Sequence, residues 1–364
     1  MKKLIAILVV FALVAGAAFA ETAMGGSAEV RWTIAENSGA DNAKTLTSGA
    51  VEAVGFQMST ANDEGTFGGM GKFVFWGHGP NVGHGTAGNR GWEIGPSHHK
   101  WDRVFAWWQP IPQVKFFLGF DGDGQFNTAN LSRWGHHQMD RGISVEDWDA
   151  SDFLIGNWDD FGMALIITPM DGLALNLAMN IPQAKTDVED WLKESIQFQV
   201  VYAIPDIGTV YFTYNNFSGE DGLVGLTFHS GSLVDGLAFE VGGSFDLDAD
   251  DDAVNFGVGV HYSGDGFGVK ARAFFWPNDD FYVKADIMPW VDLGFATLYC
   301  NIRVVTGARD YHGEDATTDL GWHVNPYLRL NVGVGDFRIG ALIGDERAKD
   351  EISFKLAMSM LVSF

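Results

Sequence analysis

A single cysteine, Cys300, stands in the 364 residues, so neither an intramolecular disulfide nor a multi-cysteine zinc site can be built. Basic residues are scarce, with 23 Lys and Arg against 47 Asp and Glu and a formal charge of −24. A nucleic-acid binder needs a basic face to neutralise phosphates, and this balance excludes one. Long apolar runs are also missing. After residue 20 the longest unbroken ones, such as Met163 to Ile167, are five residues, where a helical span takes about twenty. A polytopic helical membrane protein is therefore excluded. Nucleophile-elbow, zincin, phosphate-loop and dinucleotide fingerprints do not occur, and no enzyme, cofactor or metal is expected. Hydrophobic residues still make up 46% of the chain, too many for a disordered acidic segment.

The first twenty residues differ in kind from the rest. Lys2 and Lys3 open a basic start, Leu4 to Ala15 is apolar, and Ala18-Phe19-Ala20 is a small-x-small site before Glu21. This order reads as a secretory signal peptide over 1–20, leaving 21–364 as one domain. No cysteine lies at the cleavage site, which argues against lipoprotein processing. Export removes two lysines and no acids, so the remainder carries −26.

Period two dominates residues 21–364, and it places successive side chains on opposite faces of a strand. At the C-terminus Ile352, Phe354, Leu356, Met358, Met360, Val362 and Phe364 fall on one face, and Ser353, Lys355, Ala357, Ser359 and Ser363 on the other. Phe267, Val269, Ala271, Ala273 and Phe275 alternate with Gly268, Lys270 and Arg272, and Val254, Phe256, Val258 and Val260 with Asn255, Gly257, Gly259 and His261. One face is apolar; the other is small, polar or charged.

Connections differ in length by side. Tight, Asp- and Gly-bearing ones (Ser263 to Gly266, Met288 to Asp292, Gly333 to Asp336) alternate with looser ones such as Thr306 to Leu320 and Pro182 to Asp190. Short turns on one side and long loops on the other fit a transmembrane barrel, and a sandwich has no reason to show them. The reading is an all-β, antiparallel, up-and-down transmembrane β-barrel of 16 to 18 strands. The lower count applies if the weakly patterned stretches near 49–59 and 102–109 are loop. Through 291–305 the register is ambiguous and suggests a bulge. Trp76, Trp107, Trp108, Tyr262, Phe275, Trp276, Trp290 and Trp322 lie near strand ends, where two interface girdles would place them.

With these features the chain resembles a bacterial outer-membrane porin, and its general style is similar to the porin-like proteins of spirochaetes. The resemblance implies a water-filled channel for ions and small polar solutes in the outer membrane of a Gram-negative-type bacterium, with lipid around it and a homotrimer as an assembly. It also implies that Met358, Met360, Val362 and Phe364 form the terminal signal read by the barrel-assembly machinery. In many porins the third long loop narrows the pore. Here that connection, Asp121 to Asp160, is the longest and carries Asp121, Asp123, Asp140, Glu146, Asp147, Asp149 and Asp152. Strand parity turns Arg31, Lys72, Lys115, Lys270, Arg272, Lys284, Arg329, Arg338 and Lys355 inward. Two arrangements are open to these charges. The acidic loop and basic wall set up a transverse field at a constriction, or the bases pair with Glu29, Glu240 or Asp286 on neighbouring strands. Acidic loops at the mouth favour weak cation preference, and lumen bases at the narrowest point would reverse it.

Other constellations carry less. Six of ten histidines, His78, His84, His98, His99, His136 and His137, lie in the second and third long loops without a fixed ligand spacing. The run Asp246 to Asp252 starts like a calcium loop, but Asp251 stands where glycine is needed and Gly257 where glutamate is. Trp92, Trp101, Trp134, Trp148 and Trp158 fall in the two long loops. They serve either as an aromatic slide of a sugar-selective channel or as anchors of the loops on the wall. A surface adhesin or structural barrel is the non-channel alternative. His229 and His261 read as polar lumen lining.

Overall fold

The computed structural model describes residues 20–37, 44–75, 99–121, 161–180, 196–215, 222–231, 234–247, 254–277, 281–306, 320–345 and 352–363. The alternation becomes strands β1 (Ala20–Asn37), β2 (Lys44–Asn62), β3 (Phe67–Phe75), β4 (His99–Ile111), β5 (Val114–Asp121), β6 (Phe161–Met170), β7 (Leu173–Asn180), β8 (Ile196–Ile204) and β9 (Gly208–Asn215). The second half supplies β10 (Leu223–Ser230), β11 (Leu237–Asp246), β12 (Val254–Ser263), β13 (Phe267–Trp276), β14 (Tyr282–Asp292), β15 (Thr297–Thr306), β16 (Leu320–Asn331), β17 (Gly335–Asp345) and β18 (Ser353–Ser363). Each strand pairs antiparallel with its sequence neighbour, and β18 pairs with β1, closing an 18-stranded sheet on itself. Closure matters because lipid offers no hydrogen bond to a backbone amide, so a spanning sheet cannot keep a free edge.

The count is 18, and the sixteen-strand alternative is corrected: the weak stretches 49–59 and 102–109 lie inside β2 and β4. Their patterns are weak for physical reasons. Ala, Ser and Gly fill much of β2, while Lys100, Asp102 and Arg103 interrupt the start of β4. Connections of five residues or more, including every long one, lie on one side, and the other side carries connections of two to six residues (63–66, 112–113, 171–172, 205–207, 231–236, 264–266, 293–296, 332–334). Tightness there requires positive φ, supplied by glycine at Gly266 (76°) and Gly333 (80°) and by Asp206 at 61°.

Two local expectations fail. Met288 to Asp292 is strand, and the turn is 293–296, with Gly294 at φ 84°. The bulge expected in 291–305 is also absent, because β14 and β15 hold one register from Val283↔Thr306 to Asp292↔Thr297. Leu298 and Ile302 face out, Tyr299 faces in, and Phe295 belongs to the turn, which is why the sequence looked as if it changed face. Register shifts lie instead at Glu29/Val30, Thr33/Ala35 and Lys72/Phe73, and beside two short turns.

Polarity is inverted relative to a water-soluble protein. On β15 Asn301 and Arg303 are 0% and 1% exposed, while Ile302 between them is 36% exposed. Val258 and Val260 on β12 are exposed, whereas Glu240 and Asp286 on the opposite face of the sheet are buried. An outer surface of Phe, Val, Leu and Ile around a polar interior is what a bilayer as solvent selects. Met358, Met360 and Val362 belong to that outer face of β18; Phe364 is outside the described residues, as are residues 1–19. Eighteen strands about 4.8 Å apart and tilted by about 40° close on a backbone radius of about 18 Å. That leaves room for water inside the wall.

Candidate functional site: the inner wall

One register row crosses seven strands on the inner face. It runs His229 (β10), Glu240 (β11), Gly259 (β12), Arg272 (β13), Asp286 (β14), Arg303 (β15) and His323 (β16), each opposite the next. Signs alternate along its centre. Arg272 Nε donates to Asp286 Oδ2 at 2.7 Å, with both side chains buried, and Arg303 faces Asp286 from the other side in register. At the acidic end Glu240 Oε2 lies 3.4 Å from His229 Nδ1. Gly259 allows this packing: a side chain there would collide with the Glu240 carboxylate, so the missing Cβ lets Glu240 lie across β12.

Toward the short turns the wall becomes aromatic. His261 lies 5.7 Å from Trp290, Trp290 stacks on Tyr299 at 6.4 Å, and Tyr299 on Tyr327 at 4.9 Å and 8° between planes. Trp290 therefore faces inward and is no part of an interface girdle. The same correction applies to Trp107, while its neighbour Trp108 points out with 54% exposure. Both inward rings lie over a glycine of the adjacent strand, Gly268 under Trp290 and Gly68 under Trp107, where a Cβ would overlap the indole.

Between β3 and β7 the inner face changes character. Phe105, Phe117, Ala164 and Ala178 are buried together, with Met70, Trp107 and Ile166 packed against them. Lys115 lies over the Trp107 and Phe117 rings at 5.3 and 4.8 Å. From β7 to β9 a polar ladder takes over, with Asn176 Nδ2 donating to Gln199 Oε1 (2.9 Å) and Gln199 Nε2 to Thr213 Oγ1 (3.4 Å).

The nine bases singled out by parity all occupy inner-face register positions. Lys270 stands opposite His261, Lys284 opposite Phe274, Lys72 opposite Gln57, Arg31 opposite Ser359 and Lys355 opposite Leu342. Arg272, Arg329 and Arg338 are ion-paired. Arg338 grips Asp336 with two bonds, Nε to Oδ1 at 2.7 Å and Nη2 to Oδ2 at 3.1 Å, and Arg329 Nη2 donates to the same Oδ2 at 2.9 Å. Of the seven acids assigned to the long loop, Asp121 is instead the last residue of β5, opposite Arg103. Asp123, Asp140, Glu146, Asp147, Asp149 and Asp152 lie outside the described residues. Trp101 and His99 belong to β4 and not to a loop. Trp92, Trp134, Trp148, Trp158 and the other loop histidines lie outside the described residues.

Arg303, His323, Asn301 and Asn325 are all buried on the inner face. His323 and Asn325 fall on the polar side of the alternation with Trp322 and Val324, whereas the ambiguous register of 291–305 leaves Asn301 and Arg303 without an inward assignment from sequence. Among the described residues no group of three or more His, Cys, Asp or Glu is placed to hold a metal ion. Cys300 faces outward on β15 and is half-buried.

No protein-family model matches the sequence, and no curated protein does. Solved structures do match. OccK1 (OpdK) of Pseudomonas aeruginosa aligns with a TM-score of 0.57 at 10% identity over 93% of this chain and 98% of that one. Salmonella typhi OmpF, in a complex with daunomycin, aligns at 0.53 and 10% identity over 95% and 98%. Both neighbours are bacterial porins, channels rather than enzymes. At this identity the likeness concerns architecture, and the chain has the closed antiparallel barrel of the bacterial porins.

Proposed function

We propose that this chain is an outer-membrane porin, a water-filled channel for passive diffusion of ions and small polar solutes. One observation carries the reading: a closed 18-stranded sheet whose neighbouring residues switch from exposed apolar outside to buried polar inside. No bond is broken in such a mechanism. The barrel satisfies its own backbone and leaves a polar path through lipid. Residues 1–20 act as the export signal, 21–364 form one barrel domain, and Met358, Met360, Val362 and Phe364 are the signal presented to the barrel-assembly machinery. Lipid surrounds the outer face, three copies assemble as in porins, and the sequence style places the protein with the spirochaetal type.

The wall charges oppose one another, Arg272 with Asp286 and Arg329 and Arg338 with Asp336. Pairing on the wall thus supports the second of the two electrostatic alternatives for these residues. With the bases partly neutralised, the acidic loops dominate at the mouth and the channel leans toward cations. A sugar-selective channel is the second reading, and the inner-face line His261, Trp290, Tyr299 and Tyr327 favours it. Single-channel recording in a planar bilayer under a salt gradient tests both. Conductance steps with a cation-leaning reversal potential and no block by maltodextrins support the general channel, and dose-dependent block moves the reading to sugars.

A further inference from the structure

On the short-turn side the closure of the barrel is uneven. β1 and β2 pair from Asn37↔Lys44 down to Ala20↔Asn62, but β18 covers the other edge of β1 only as far as Ser27↔Ser363. Residues 20–26 therefore extend past β18 with β2 alone, and among the described residues no strand pairs with their second edge. With residues 1–20 removed as proposed above, 21–26 remain, roughly 20 Å of strand at about 3.3 Å per residue. One bond fixes which backbone groups face that edge. The Ser363 N–H donates to the Val334 carbonyl at 2.8 Å, so Ser363 turns its polar groups toward β17, and Ser27↔Ser363 is a pair of the non-hydrogen-bonded kind. Ser27 then bonds toward β2, and alternation turns the N–H and C=O of Thr22, Met24 and Gly26 toward the open edge.

An unpaired edge is a template for a further strand, and proteins blunt such edges with proline, lysine or a bulge. Residues 20–26, Ala-Glu-Thr-Ala-Met-Gly-Gly, contain neither proline nor lysine, and the first register shift against β2 comes only at Glu29/Val30. Apolar side chains lie beside the edge. Met24 is 81% exposed and stands opposite the exposed Met58, and Val334, next to the end of β18, is 69% exposed. Charge in the short turns has one sign: they carry Asp63, Glu64, Asp171, Asp206, Asp235 and Asp265, and no Lys or Arg. The bases of this side, Lys72, Arg329 and Arg338, belong to the inner wall, and the two arginines are held by Asp336.

We propose that residues 21–26 are a docking edge for a second protein on the short-turn side. The occupant is an extended basic segment that adds antiparallel to β1 along the continued path of β18, with apolar side chains at alternate positions against Met24 and Val334. A second copy of this chain fits poorly, because in one membrane its β1 runs in the same sense and brings the same acidic turns. The inference rests on the channel reading only for the compartment, the periplasm. The test is fluorescence anisotropy of a labelled heptapeptide alternating lysine and valine, titrated with the folded, detergent-solubilised mature protein. Saturable binding that weakens about tenfold in Met24→Pro and holds within about threefold in Met24→Ala supports the edge, since proline deletes an edge donor and alanine only the side chain. Met24→Pro should fold, because the lost N–H serves no bond to β2, and an unchanged urea midpoint checks this. The same peptide N-methylated at every residue tests the edge on the unaltered protein, where binding should vanish. Absence of saturable binding, equal binding of the methylated peptide, or equal binding by a folded Met24→Pro overturns the inference. Equal binding of a glutamate–valine heptapeptide overturns the basic partner, and self-association in sedimentation that Met24→Pro abolishes gives the edge to a second copy instead. Conductance enters none of these readouts: a silent barrel that binds the peptide sinks the channel reading alone, and a conducting barrel that does not bind sinks the edge alone.

Discussion

Replacing Asp286 by alanine removes the only acid in the centre of the charged row and leaves Arg272 and Arg303 flanking a gap. Arg272 loses a 2.7 Å charge-assisted bond, and both guanidiniums stay buried, since the Arg272 side chain is 9% exposed and Arg303 1%. Breaking a buried pair by deleting one partner leaves an uncompensated charge and costs about 3–5 kcal/mol. The pair's own contribution is far smaller, because desolvating its members offsets most of their attraction. Two variants separate these effects. Asp286→Ala should lose about 3–5 kcal/mol in equilibrium urea unfolding of the barrel in lipid vesicles. The triple variant Arg272→Met, Asp286→Leu, Arg303→Met should recover most of that loss. Removing the carboxylate between two arginines should also move the reversal potential of Asp286→Ala toward anions. A loss below about 1 kcal/mol in the single variant would refute the argument, because it would mean that the row is solvated and not buried.

Outer and inner faces should respond oppositely to charge. Val260→Arg, on the outer face of β12, should destabilise by about 2–4 kcal/mol, whereas His261→Glu one residue on, opposite Lys270, should cost within about 1 kcal/mol, both read by urea unfolding; similar losses would contradict the assigned faces. Gly259→Val should push Glu240 off β12 and cost about 1–3 kcal/mol by the same assay, and an unchanged midpoint would argue against that packing. Gly268→Val should displace the indole of Trp290 and reduce the near-ultraviolet circular dichroism of the aromatic line, and an unaltered spectrum would show that the ring does not lie there. Deleting Phe364 should lower the yield of barrel inserted in the outer membrane several-fold, and an unchanged yield would remove the residue from the assembly signal.

The fold was legible where one face stays greasy without interruption, as along β18, where Phe354, Leu356, Met358, Met360 and Val362 all fall outside. It was less legible where inward charges or small residues break the pattern, as in β2 and β4. The aromatics show the limit of reading position alone. Trp107 and Trp108 are adjacent, yet one lies over Gly68 inside and the other faces outward, and the partner strand's glycine marks the inward one. The bases of the wall could be assigned to a face from parity, but not to partners. That Arg272 meets Asp286, and that Asp336 serves Arg329 beside its own strand's Arg338, depends on a register that no single strand carries. Arg303 is not legible from sequence, because aromatic and aliphatic residues fall on both faces through 291–305 and leave the inward direction of β15 ambiguous.

The most direct test of the account is single-channel conductance of the purified mature protein in a planar bilayer. The account predicts discrete steps under a salt gradient, with a cation-leaning reversal potential that Asp286→Ala moves toward anions. Silence from a protein that is demonstrably folded as a barrel would contradict the channel and leave an adhesin or structural barrel in its place.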